Sequence, residues 1–108
     1  MSYRVVTTPK FERDFKYLSK KYSSLKNEML KLIGDLSENP KLGTSIGKSC
    51  YKIRLSVHSK GKGKSAGTRV ITHVYIDKDL VYLLAIYDKS DIGSINQNKI
   101  RELLNSLE

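Results

Sequence analysis

Residues 50–58 read CYKIRLSVH, and their alternation sets the fold class. Tyr51, Ile53, Leu55 and Val57 would point to one side, and Lys52, Arg54, Ser56 and His58 to the other. That period of two belongs to a strand with one face buried and one face polar. Residues 59–67, SKGKGKSAG, carry three glycines and three lysines, too much glycine for a strand interior, and read as a flexible basic loop. Residues 68–76 form the next predicted strand and Asp77-Lys78-Asp79 a turn. Residues 80–87 are apolar on both faces, which places that strand inside the sheet rather than at its edge.

Upstream, residues 3–7 (YRVVT) are β-branched and aromatic, giving a first strand. Thr8-Pro9 then starts a helix, with Thr8 as N-cap and Pro9 at the first helical position, where its missing N–H costs nothing. Phe11, Phe15, Leu18 and Tyr22 recur at helical spacing. Ser23-Ser24 interrupts, and Leu25, Met29, Leu32, Ile33 and Leu36 make a second stripe that ends before Asn39-Pro40. So short a link implies a helical hairpin lying on the sheet. At the other end, Ser94-x-x-Gln97 has the capping-box pattern, opening a helix whose core side is Ile100, Leu103, Leu104 and Leu107. The expected fold is α+β: a small, antiparallel-rich four-stranded sheet with an N-terminal helical hairpin and a C-terminal helix, in the order β-α-α-β-β-β-α. One domain over residues 1–108 is expected, since a chain of this length builds a single core.

Charge is concentrated in one segment. The chain has 20 Lys and Arg against 11 Asp and Glu. Residues 39–76 hold no carboxylate but do hold Lys41, Lys48, Lys52, Arg54, Lys60, Lys62, Lys64 and Arg69; elsewhere the balance is 12 against 11. A soluble surface intersperses both signs, so a one-signed segment points to a polyanion, and nucleic acid is the expected partner. No apolar run approaches the ~18 residues of a membrane span, and the chain opens directly into a strand. With a single cysteine, Cys50, no internal disulfide can form, so a cytoplasmic protein with no membrane association is expected.

Strand parity puts Lys52, Arg54 and His58 on one polar face, and Arg69, Ile71 and His73 on one face of the next strand. If the two strands pair as a hairpin with those faces on the same side, the cations can track a phosphate backbone. Tyr75, Tyr82 and Tyr87 are candidates for base stacking or for core. The basic segment lacks the carboxylates that hold Mg²⁺, and Cys/His ligand spacing is absent, so no metal and no cofactor are expected. Neither a nucleophile elbow nor an acidic orienter for His58 or His73 is evident. RNA supplies its own nucleophile, the 2′-OH, so cleavage requires only in-line positioning and charge stabilisation. An Arg suits the forked grip on a phosphoryl group. A Lys crowded by cations could transfer a proton or simply hold phosphate, and either histidine could be a base or a surface residue.

The run Lys52-Ile53-Arg54-Leu55, then GKGKSAGTRVI over residues 61–71, then LLAIYDK over residues 83–89, resembles the RelE/ParE superfamily of bacterial toxins, in its HigB-like, RelE-type branch. The resemblance spans essentially the whole chain; Ala66 departs from it, standing where a second glycine is expected. It implies a RelE-like fold and the toxin role in a type II toxin–antitoxin pair. The implied activity is ribosome-dependent endoribonucleolytic cleavage of messenger RNA without metal, by attack of the 2′-OH on the adjacent phosphate. A cognate antitoxin, commonly carrying a helix-turn-helix, is the implied partner. Carried over by position, Arg69 would stabilise the scissile phosphate, Lys62 or Lys64 would move the proton, and Arg54 and Lys89 would hold backbone. Lys52, Lys60, His73 and Tyr87 complete the expected RNA-binding set, with Tyr87 stacking on a base. Two other readings stay open: a ParE-type toxin that inhibits DNA gyrase, and a non-catalytic RNA-binding module.

Overall fold

A computed structural model describes residues 2–60, 67–92 and 95–107 of the chain. Strand β1 (Arg4–Thr7) leads into helices α1 (Pro9–Lys21) and α2 (Leu25–Glu38). Then come β2 (Thr44–Gly47), β3 (Cys50–Leu55), β4 (Thr68–Tyr75), β5 (Leu80–Asp88), the single turn α3 (Lys89–Ile92) and α4 (Gln97–Asn105). The sheet order is β1-β5-β4-β3-β2, with β1 parallel to β5 and the remaining neighbours antiparallel.

The α+β reading holds, with five strands in place of four. The extra one, β2, reads TSIG and lies in a polar connection too short to show an alternation. It joins β3 through Lys48 and Ser49, both at positive φ (56° and 59°), the two-residue turn whose twist suits a hairpin. At Gly43, φ is +97° and a Cβ would sit 2.5 Å from the Lys52 carbonyl oxygen, so only glycine lets β2 approach β3 there. Strand β3 ends at Leu55, short of the expected residue 58: Val57 keeps its inward place, but His58 opens a 3₁₀ turn, His58–Lys60. The last helix is capped by Asn96, whose side chain accepts from the Lys99 N–H at 2.9 Å, rather than from position 94, which lies outside the described residues. Thr8 caps α1 as expected, its hydroxyl accepting from the Phe11 N–H, with Pro9 at the first position.

Two apolar layers flank the sheet. Phe11 and Leu18 of α1 and Leu25, Met29, Leu32 and Leu36 of α2 cover Ile53, Leu55, Val57, Val70, Val81, Leu83 and Ile86. On the opposite face, Ile100 and Leu103 of α4 cover Cys50, Ile71, Leu84, Ala85 and Tyr87. Strand β5 is buried along nearly its whole length, as its two-faced apolarity requires. The α4 face also carries the cationic residues of β3 and β4, and the site is built there.

Candidate functional site

Strands β3, β4 and β5 each place one residue in a single transverse row. Arg54 is opposite Arg69, and Arg69 is opposite Tyr87. With neighbouring strands ~4.8 Å apart, the row spans roughly 10 Å. The hydrogen-bond pattern fixes how close its members stand. The Val74 N–H bonds the Ser49 carbonyl and the Lys89 N–H bonds the Gly67 carbonyl. By alternation, Arg54 and Arg69 form a non-hydrogen-bonded pair, the closer type, while Arg69 and Tyr87 exchange backbone bonds. The hairpin pairing anticipated from parity therefore exists, and both arginines share one face.

Burial grades along the row. Arg54 is exposed, Arg69 is only 6% exposed and Tyr87 4%. The apolar layer beneath α4 encloses Tyr87, and burial pushes its phenol pKa up while the adjacent Arg69 guanidinium pulls it down. The Arg69 Nη1 donates to the Thr68 carbonyl at 3.4 Å.

Lys52 occupies the next rung, across from Ile71, and is half-buried. It lines a 640 Å³ groove with Arg54, Ser56, His58 and, from α2, Glu28, Lys31 and Asp35. Lys89 is exposed at the start of α3, tied by its backbone to Gly67. Lys60 closes the 3₁₀ turn that leads toward the basic loop, while Lys62 and Lys64 lie outside the described residues. His58 is exposed, with its N–H bonded to a Glu28 carboxylate oxygen at 2.7 Å.

His73 is not brought to the row. Four residues along β4 from Arg69, roughly 13 Å at strand rise, it stacks on Tyr82 and sits 3.7 Å from the Cys50 sulfur. Burial lowers its pKa, opposed by the Lys48 and Ser49 carbonyls. Tyr75 lies at the same far end with Lys78 over its ring. Of the three tyrosines proposed for stacking, Tyr87 alone joins the arginines.

Two features were not read from the sequence. A 210 Å³ pocket beside Tyr87 is lined by Lys10, Ala85, Ile86, Ile92, Ile95, Asn96 and Lys99, bringing cations from both ends of the chain. Behind the row, Asp88 is 2% exposed and accepts hydrogen bonds from the Thr68 hydroxyl at 3.0 Å and the Tyr22 hydroxyl at 2.9 Å. A carboxylate closing a strand that is otherwise apolar was the available signal for it. Among the described residues no cluster of three or more His, Cys, Asp or Glu could hold a metal ion, and no helix is long and apolar enough to cross a membrane.

No protein-family model matches the sequence. Solved structures do. A mutant of the E. coli toxin RelE in the free state superposes with a TM-score of 0.68 at 17% identity, covering 100% of this chain and 100% of that one. The chain has the RelE toxin fold. The same RelE mutant in complex with a peptide of the antitoxin RelB gives a TM-score of 0.57 at 20% identity, covering 94% of this chain and 93% of that one. The toxin–antitoxin complex RelBE2 from Mycobacterium tuberculosis gives 0.57 at 18% identity, covering 82% and 99%. At these identities the RelE likeness is one of fold, and the chemistry must be argued from the row itself.

Proposed function

We propose that the chain is the toxin of a type II toxin–antitoxin pair, a metal-independent endoribonuclease that cleaves messenger RNA on the ribosome and so inhibits translation. The observation that carries this is the Arg54–Arg69–Tyr87 row on a RelE-fold sheet. It joins the two cations best suited to one phosphodiester with an aromatic ring at the row's end. The chemistry needs no nucleophile from the protein. The 2′-oxygen bonds to phosphorus, the P–O5′ bond breaks, and the products are a 2′,3′-cyclic phosphate and a 5′-hydroxyl. Charge on the phosphoryl oxygens rises in the transition state, and a fixed guanidinium there counts for more than in water.

Arg69 is the residue to hold that charge, because burial keeps its position fixed. Arg54, exposed beside it, and Lys52 on the next rung would grip flanking backbone, with Lys89 just beyond the end of β5 that carries Tyr87. Lys62 or Lys64 would move the proton from the 2′-OH or to the leaving oxygen. Tyr87 keeps its proton at neutral pH, since its pKa is raised; it serves as a packing surface and hydroxyl donor rather than as a base. A cognate antitoxin is the proposed partner, as the RelB peptide and RelBE2 complexes are for their toxins, and the cytoplasm is the proposed site of action.

Pulse labelling after controlled expression in a bacterium tests the reading. Protein synthesis should stop first, with DNA synthesis and plasmid supercoiling still normal. Loss of supercoiling while translation continues would replace this reading with gyrase inhibition.

A further inference from the structure

We infer that Asp88 is a positioning residue that holds Arg69 and Tyr87 in register from the reverse face of the sheet. Asp88 and Thr68 are cross-strand partners on the rung immediately beyond Arg69 and Tyr87. By alternation their pair is the closer, non-hydrogen-bonded type, flanked by the backbone bonds of Gly67–Lys89 and Arg69–Tyr87, and its side chains add a tie of their own. The Thr68 hydroxyl supplies one, at 3.0 Å to Oδ1. The Tyr22 hydroxyl reaches Oδ2 at 2.9 Å from the C-terminal cap of α1. One carboxylate thus joins three elements at the point where β4 begins and β5 ends.

Position makes this matter for the site. The rung is the last pair of the β4–β5 ladder, beside the Gly67–Lys89 backbone bond. Strand ends open locally at low cost unless something ties them. Yet Arg69 and Tyr87 stand only one residue inside that end. A carboxylate that is 2% exposed carries a large desolvation cost and would be poorly placed as filler. Asp88 faces the helix layer, where Tyr22 reaches it, while Tyr87 faces α4, so its tie to the row runs through the ladder.

The inference rests on the proposed nuclease for its kinetic arm but not for its structural one. Amide hydrogen exchange and single-turnover cleavage on programmed ribosomes would be compared for wild type, Asp88→Ala, Tyr22→Phe and Thr68→Val. The last two each remove a hydroxyl donor to Asp88 and preserve packing, so they remain informative if Asp88→Ala does not fold. The Arg69 and Tyr87 amides should exchange at least tenfold faster in each variant, while Val74 and Val81 at the far end of the same strands are unchanged. The maximal cleavage rate should fall about tenfold, with ribosome affinity within twofold of wild type. Faster exchange spread evenly along β4 and β5, or an unaltered maximal rate, would overturn the positioning role. Should the wild type cut no RNA, the nuclease reading falls and the exchange pattern alone decides the clamp.

Discussion

Arg54 and Arg69 stand directly opposite one another on β3 and β4, two cations in a closely spaced cross-strand pair. Like charges in that relation are destabilising, by about 0.2–1 kcal/mol. An anionic ligand bound between the two would relieve that repulsion.

Arg54→Gln is therefore expected to raise thermal stability by a few tenths to about 1 kcal/mol at low salt, and to weaken RNA binding. Melting curves at low and high ionic strength check this, because screening should shrink the difference. A variant less stable than wild type at low salt would show that the pair is not repulsive.

His73 is expected to matter for folding and not for cleavage. Its pKa is depressed by burial, so the folded state favours the neutral ring. The stability this confers is present above the unfolded value near 6.5 and is lost as pH falls through the lower folded value. His73→Gln should flatten the acid side of the stability–pH curve below pH 6.5 and leave RNA cleavage within twofold. A large loss of cleavage in the folded variant would return His73 to the site.

Cys50 titrates in the opposite sense. It is fully buried, and burial pushes its thiol from 9.0 up to about 11. The protonated form is favoured in the fold, so this stability is complete below pH 9 and declines as pH rises from 9 to 11. At 1.36 kcal/mol for each pKa unit the contribution is roughly 2–3 kcal/mol. Denaturant titrations from pH 8 to 11 should fall less steeply for Cys50→Ala, although that variant begins less stable. Parallel curves would remove the assignment.

Much of the frame was legible because period and punctuation are local. The Thr8-Pro9 start, the two helical stripes and the alternation of β3 follow from nearest-neighbour geometry, and so does the shared face of Arg54 and Arg69. What was not legible depends on pairs distant in sequence. Strand β2 exists because Lys48 and Ser49 turn tightly and Gly43 permits close approach, and none of these gives a periodic signal. The burial of Arg69, only 6% exposed, depends on tertiary packing, whereas parity alone gave it a polar surface. Asp88 acquires its role only when Tyr22, 66 residues away, reaches it. His73 shares a face with Arg69, but sharing a face does not bring two residues within reach along a strand.

The central claim is that Arg69 stabilises charge on a phosphate that ribosome-bound messenger RNA presents to this sheet. The most direct test is primer extension on a defined messenger RNA, with and without programmed ribosomes, for wild type, Arg69→Lys and Arg69→Ala. Wild type should cut within the decoding-site codon only when ribosomes are present, and Arg69→Ala should cut at least a hundredfold more slowly while remaining folded by circular dichroism. Arg69→Lys should recover little, since a point charge cannot reproduce the fork. Cuts retained at full rate in both variants would contradict the role of Arg69, and no cuts by wild type under any condition would contradict the nuclease itself.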